Sequence, residues 1–203
     1  MRADTRKRGG ALLATMAVVI AVAAAVAALR SSDEPDTASD SMAGKHMGHG
    51  AKYPPSVKHG APGPGVVAPG FDVARLRGDG RVRLGDYAGR PVVLTFWASW
   101  CISCRSEFPR LRDLVRAHRG DDLAVVGITY RDIASDSRAF AKDHRANFTL
   151  AKGGEGDPVA REYGIRAIPQ LYFIDRSGVI RERMFGAPST ARMEAAVAEI
   201  SAG

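Results

Sequence analysis

The only two cysteines of the chain are Cys101 and Cys104, directly after Trp100 and an apolar run from Val92 to Trp97. A Cys-x-x-Cys pair can be half of a zinc site, a structural bridge or a redox dithiol. A closed structural zinc site needs four ligands, and no second pair of Cys or His stands at ligand spacing. His118 is alone among charged residues and His144 alone in a polar stretch. A structural bridge is poorly motivated, because closing so short a loop constrains the unfolded chain by only about 2 kcal/mol. The pattern points to a redox dithiol.

The surrounding pattern predicts how that pair is held. Phe71–Leu76 and Arg81–Leu84 alternate apolar and polar residues across Gly78-Asp79-Gly80, the signature of a β-hairpin. Gly85–Gly89 reads as a turn, and Val92–Trp97 as a strand buried on both faces. A helix is expected from Cys101 to Arg119, with Leu111, Leu114 and Val115 on one face. Then follow a strand at Leu123–Thr129, a helix near Ser137–His144, a short strand at Phe148–Leu150 and a helical turn at Pro158–Tyr163. Strands at Leu171–Ile174 and Val179–Phe185 flank the turn Asp175-Arg176-Ser177-Gly178, and a helix at Ser189–Ile200 closes the chain. This order predicts an α/β fold, a mixed sheet flanked by helices with an N-terminal β-hairpin. No internal repeat is visible.

With that order, the dithiol lies where a buried strand passes into a helix N-terminus. Unpaired N–H groups and the positive end of the helix dipole stabilise an anion there. The thiolate is the nucleophile, and a thiol of ordinary pKa, about 8.5, is only roughly 3% ionised at pH 7. Cys101, at the exposed helix start, is the expected attacker of a substrate disulfide, and Cys104, one turn deeper, the resolving thiol. Trp100 places a bulky exposed indole beside the thiol and is expected to shape the docking surface. Phe96 and Trp97 read as core, and Met184 and Met193 as filler.

From about Pro69 to the C-terminus the chain resembles the thioredoxin superfamily, and within it the membrane-anchored TlpA/ResA-like thiol–disulfide oxidoreductases. The motifs are Gly89-Arg90-Pro91-Val92-Val93-Leu94 with Phe96-Trp97-Ala98-Ser99-Trp100-Cys101, Pro109 in the following helix, and Tyr163-Gly164-Ile165-Arg166-Ala167-Ile168-Pro169. The resemblance implies a thioredoxin-like fold and a cis peptide bond before Pro169, facing the dithiol. Ile168 would then offer its backbone to an extended substrate peptide. Thioredoxins carry a buried Asp where this chain has Thr95, which cannot ionise. Glu107, on the helix face of Cys104, matches the acid of the TlpA/ResA-like group and is expected to handle the proton there. The alternative is an exposed Glu that complements the helix dipole.

Outside that region the chain divides further. Arg2, Arg6, Lys7 and Arg8 precede an uncharged apolar run from Gly9 to Leu29, followed by Arg30 and then Asp33, Glu34 and Asp36. At about 1.5 Å per residue the run would span roughly 30 Å, the thickness of a bilayer's hydrocarbon core. The flanking charges place its N-terminus inside the cytoplasm. The expected location is the cell membrane, single-pass, with the domain on the extracytoplasmic side. Small-residue patterns at Ala21-Val22-Ala23 and Val26-Ala27-Ala28 leave secretion after signal cleavage as the alternative. A retained anchor is favoured because the run exceeds the usual length of a signal peptide's apolar segment. Residues 1–30 are therefore read as anchor or signal, 31–69 as a disordered linker and 70–203 as the thioredoxin-like domain.

Within the linker, Met42, His46, Met47, His49 and His59 are soft ligands that suit copper, but their loose spacing favours a plain linker. The net charge of +7 comes with arginines scattered among acids, so nucleic acid is not an expected partner. No cofactor and no metal are implied. The expected partners are substrate proteins with disulfides and a membrane-embedded electron donor, with the chain acting as a monomer. In the resembled family the substrate is often apocytochrome c before haem attachment, which makes the dithiol a reductant. A disulfide-forming oxidase is the alternative direction. A Sco-like copper chaperone fits less well, since that group uses Cys-x-x-x-Cys with a distal His. A peroxiredoxin-type peroxidase needs a lone peroxidatic Cys in another loop motif.

Overall fold

The computed structural model describes residues 60–202. The apolar run at Gly9–Leu29 and the His/Met residues at 42–59 lie outside them. Among the described residues no helix is long and apolar enough to cross a membrane.

Strand β1 (Asp72–Ala74) pairs antiparallel with β2 (Arg81–Arg83), the expected hairpin in a shorter form. The residues expected as a turn instead form a short 3-10 helix, Leu84–Tyr87, with Leu84 buried. The main sheet contains β3 (Val92–Trp97), β4 (Ala124–Thr129), β5 (Thr149–Ala151), β6 (Gln170–Ile174) and β7 (Ile180–Phe185), in the order β5-β4-β3-β6-β7. Strands β3, β4 and β5 run parallel, and β6 and β7 pair antiparallel. Among the described residues four α-helices flank the strands: α1 (Ile102–Ala117), α2 (Ala134–Asp143), α3 (Pro158–Glu162) and α4 (Thr190–Ala202).

The central strand β3 is buried along its whole length, as its near-continuous apolar sequence requires. Alternate residues of a strand face opposite sides. Val92, Leu94 and Phe96 therefore pack with Val73, Val82, Val159 and Tyr163, beneath the hairpin and α3. Val93 faces Leu111 and Leu114 of α1 and Met193, Val197 and Ile200 of α4. Thr95 and Trp97 share the side of Val93. Trp97 accordingly joins Phe108 of α1 and Phe140 of α2 beneath the cysteines. Its ring centroid lies 4.6 Å from that of Phe108 and 5.3 Å from that of Phe140, within the range of favourable aromatic pairs.

One expected boundary changes. Composition assigns residues up to Pro69 to the linker, yet those from 65 to 68 hydrogen-bond along the start of β7. The Gly65 N–H donates to the Ile180 carbonyl at 2.8 Å, the Ile180 N–H to Val66 at 2.9 Å and the Ala68 N–H to Gly178 at 2.9 Å. Backbone pairing of this kind needs no apolar period, so a Gly/Pro-rich stretch conceals it. His118 is held between two carboxylates. One ring nitrogen lies 2.8 Å from Asp121 and the other 2.6 Å from Glu194 of α4, which ties the end of α1 to the closing helix.

Candidate redox site

The site is built at the C-terminal end of β3. After Trp97 the chain turns at Ala98, whose carbonyl accepts from the Cys101 N–H at 3.2 Å. Cys101 then caps α1, its Sγ accepting from the Cys104 N–H at 3.2 Å. The two cysteines form a disulfide with Cα atoms 5.3 Å apart. Cys101 retains 5% of its surface and Cys104 none. The helix start is thus less open at Cys101 than the sequence suggests: Cys101 sits in a buried cluster with Trp97, Ala98 and Phe108, against which Ile168 packs. The exposed groups are the neighbours, Trp100 at 56% and Ile102 at 82%.

Asp132, in the loop after β4, holds the turn that precedes the cysteines. One carboxylate oxygen accepts from the Ser99 N–H at 2.7 Å and from the Ser137 hydroxyl at 2.6 Å. The other accepts from the Ser99 hydroxyl at 2.7 Å and the Ile133 N–H at 3.0 Å. Beside it the Trp100 indole N–H donates to the Arg131 carbonyl at 3.1 Å, which fixes the exposed ring against the same loop. Sequence reasoning did not single out Asp132 or Arg131. The available signal was a polar residue just past the C-terminal end of a parallel strand, where α/β folds place functional groups.

The peptide bond between Ile168 and Pro169 is cis, as the motif implies. Ile168 packs against the cluster that holds both cysteines, Trp97 and Phe108. The Pro169 carbonyl accepts from the Gly186 N–H at 2.9 Å, whereas the backbone N–H and carbonyl of Ile168 have no backbone partner among the described residues. An extended polypeptide can pair there.

Glu107 lies one turn beyond Cys104 and is fully buried, not an exposed complement to the dipole. The Thr95 hydroxyl donates to its Oε1 at 2.7 Å, while Oε2 has no hydrogen-bond partner among the described residues. Burial pushes the Glu107 carboxyl up to about 8, against the opposing effects of the Thr95 hydrogen bond and the Arg110 charge. Arg110 is turned outward, donating to the Ala187 and Pro188 carbonyls at 2.9 and 2.7 Å. The carboxyl is therefore protonated at neutral pH, and its pKa lies close to that of an ordinary thiol, about 8.5.

This fold and site define a thioredoxin-like protein with a dithiol/disulfide centre. The AhpC/TSA family profile matches residues 64–183, and the chain belongs to that family. It is a thiol–disulfide oxidoreductase of the DsbE/ResA type. It is 31% identical to the thiol:disulfide interchange protein DsbE of Pseudomonas fluorescens biotype C, over 60% of this chain and 66% of that one. It is 32% identical to the thioredoxin-like protein YneN of Bacillus subtilis, over 64% of this chain and 76% of that one. Among solved structures, a Chlorobium tepidum protein described as a thiol:disulfide interchange protein DsbE matches with a TM-score of 0.65 at 28% identity. That match covers 70% of this chain and 99% of the other.

The burial of Glu107 has a consequence for stability. The folded chain holds this proton more tightly than the unfolded chain, whose carboxyl has its ordinary value of 4.5. The contribution is fully present below about pH 4.5, declines as pH rises towards about 8 and is lost above it. Urea unfolding of the disulfide form should show wild type losing up to about 1.4 kcal/mol per pH unit across that window, relative to Glu107→Gln. A difference between the two proteins that does not vary with pH would contradict the buried, protonated carboxyl.

Proposed function

We propose that the chain is a membrane-tethered reductant of polypeptide disulfides outside the cytoplasm, for which apocytochrome c before haem attachment is the expected substrate. The observation that carries the exchange step is the buried, neutral Glu107 one turn from Cys104. When a donor reduces the disulfide, Cys104 leaves as a buried thiolate and takes the proton of Glu107, which regains one from solvent below about pH 8. The dithiol then holds a Cys101 thiolate, favoured by the α1 N-terminus.

In the productive direction the Cys101 thiolate attacks a substrate disulfide. One substrate sulfur leaves as a thiolate and takes up a proton, and the other joins Cys101 in a mixed disulfide. The ionised form of Glu107, which gains population as pH rises through about 8, takes the Cys104 proton, and Cys104 attacks Cys101 and releases the second substrate sulfur as a thiolate that takes up a proton. Two electrons pass to the substrate, and Cys101–Cys104 is again a disulfide. Trp100 and the Ile168–Pro169 segment border the dithiol and supply the surface against which the substrate lies.

Direction is argued from the sequence. A dithiol outside the cytoplasm stays reduced only if electrons are supplied to it. The apolar run at Gly9–Leu29 and the tether after it would keep the domain near a membrane-embedded donor.

Two experiments test the reading. In wild type, the rate of the Cys104-dependent step should rise through an inflection near pH 8. Glu107→Gln should lose that inflection and slow the step at pH 7 by roughly tenfold or more. An unchanged pH–rate profile would remove Glu107 from proton transfer.

Deletion of the gene should lower holocytochrome c, with rescue by an added thiol reductant. Normal cytochrome c together with fewer disulfides in other secreted proteins would support the oxidase direction.

A further inference from the structure

A cleft of about 610 Å³ opens beside the cis-proline loop, and the mechanism makes no use of it. Ala167 and Gln170, on either side of Ile168 and Pro169, form part of its wall. Three arginines line it, Arg161, Arg166 and Arg183, against the single acidic residue Glu162; the Arg161 guanidinium donates to the Gly156 carbonyl. Among the described residues none of these arginines is in an ion pair, whereas other arginines of the domain are: Arg81 and Arg83 with Asp72, Arg181 with Asp175, and Arg192 with Glu182.

Arg183 is also held in place. Its guanidinium lies 5.5 Å from the Tyr172 ring centroid and 4.6 Å from that of Phe185. Gln170 is 1% exposed; with its amide assigned in the orientation that satisfies its neighbours, its oxygen accepts from Arg183 Nε at 2.7 Å and Nη2 at 2.8 Å. Among the described residues those contacts leave the Nη1 hydrogens without a partner. A guanidinium stacked on aromatic rings and gripped from behind by a buried amide loses little rotamer freedom on binding. Phe185, 65% exposed, adds an apolar shelf at the rim.

We infer that this arginine-walled cleft is a subsite for an acidic side chain of the polypeptide whose disulfide the dithiol exchanges. The inference rests on the reading that the substrate is a polypeptide docked along Ile168. Such a strand advances about 3.3 Å per residue, so the residues read would lie a few positions from the substrate cysteine. Carboxylates match the planar fork of arginine. The cleft also continues the docking loop, which favours an attached acidic residue over a free anion.

The test uses two disulfide-bridged peptides that differ only in residues flanking one cysteine, Glu in one and Gln in the other. The reduced full-length protein should react about five- to tenfold faster with the Glu peptide at low salt, as for one or two partly exposed charge pairs. The advantage should shrink as the screening length falls from about 30 Å to about 3 Å. Arg166→Gln and Arg183→Gln should each reduce it, whereas Arg119→Gln, the same charge change past the far end of α1, should keep it. Arg166 is exposed and makes no hydrogen bond among the described residues, so its variant decides the matter even if Arg183→Gln fails to fold. Equal rates for both peptides, or an advantage untouched by Arg166→Gln, would overturn the subsite alone. Failure to exchange with either peptide would overturn the polypeptide-disulfide reading as well.

Discussion

A carboxyl group sealed inside the domain is the constraint around which the site is arranged. Ionising Glu107 in place would cost on the order of 5 kcal/mol more than in water, taking its pKa near 8 against 4.5. The group therefore rests neutral, with Thr95 satisfying one oxygen and the other left open. That arrangement depends on the sheet and on α1 together. Thr95 must fall on the α1 side of β3, which the two-residue period of the strand enforces, and Glu107 must fall on the inward face of the helix with Phe108 and Leu111. An insertion of one residue in β3 would turn Thr95 towards the hairpin and leave the carboxyl without its hydroxyl partner.

The dithiol is then placed by contacts that cross long stretches of chain. Asp132 grips Ser99 from the end of β4, Trp97 fills the space beneath the cysteines with Phe108 and Phe140, and the cis-proline segment closes the remaining side. Gly127 is part of this packing. A Cβ there would stand 2.8 Å from Leu150 Cδ2 and 3.0 Å from the Trp97 indole nitrogen, so the large ring of Trp97 requires the missing side chain opposite it. The reactive sulfur thus sits on a rigid floor. Among the described residues the large apolar side chains left exposed are Trp100, Ile102, Ile133 and Phe185, the first two flanking Cys101 in the chain.

Much of this was legible in the sequence because it is local. The apolar run into Cys101, the helix period after it and the proline at 169 each carry their own signal within a few residues. The element order followed from strand and helix periods, with most boundaries displaced by a few residues. The burial of Glu107 was less accessible. Position in the chain places it on the face of Cys104, but only the packing of Phe108, Leu111 and the sheet against that face decides whether water reaches it. Asp132 and the pairing of residues 65–68 with β7 were not legible, since each joins segments far apart and uses backbone or a single polar side chain, neither of which leaves a periodic trace. The arginine cleft is of the same kind, assembled from α3, the cis-proline loop and β7.

The account stands on a proton that Glu107 holds at neutral pH and gives up only near pH 8. Infrared spectroscopy of the disulfide form over a pH titration, comparing wild type with Glu107→Gln, reads that proton directly. A protonated-carboxyl band that is present at neutral pH, lost as pH rises through about 8 and absent from the variant is the result predicted. A carboxyl band that is missing from the wild type at neutral pH, or that is lost at the ordinary carboxylate value of 4.5, would contradict the account.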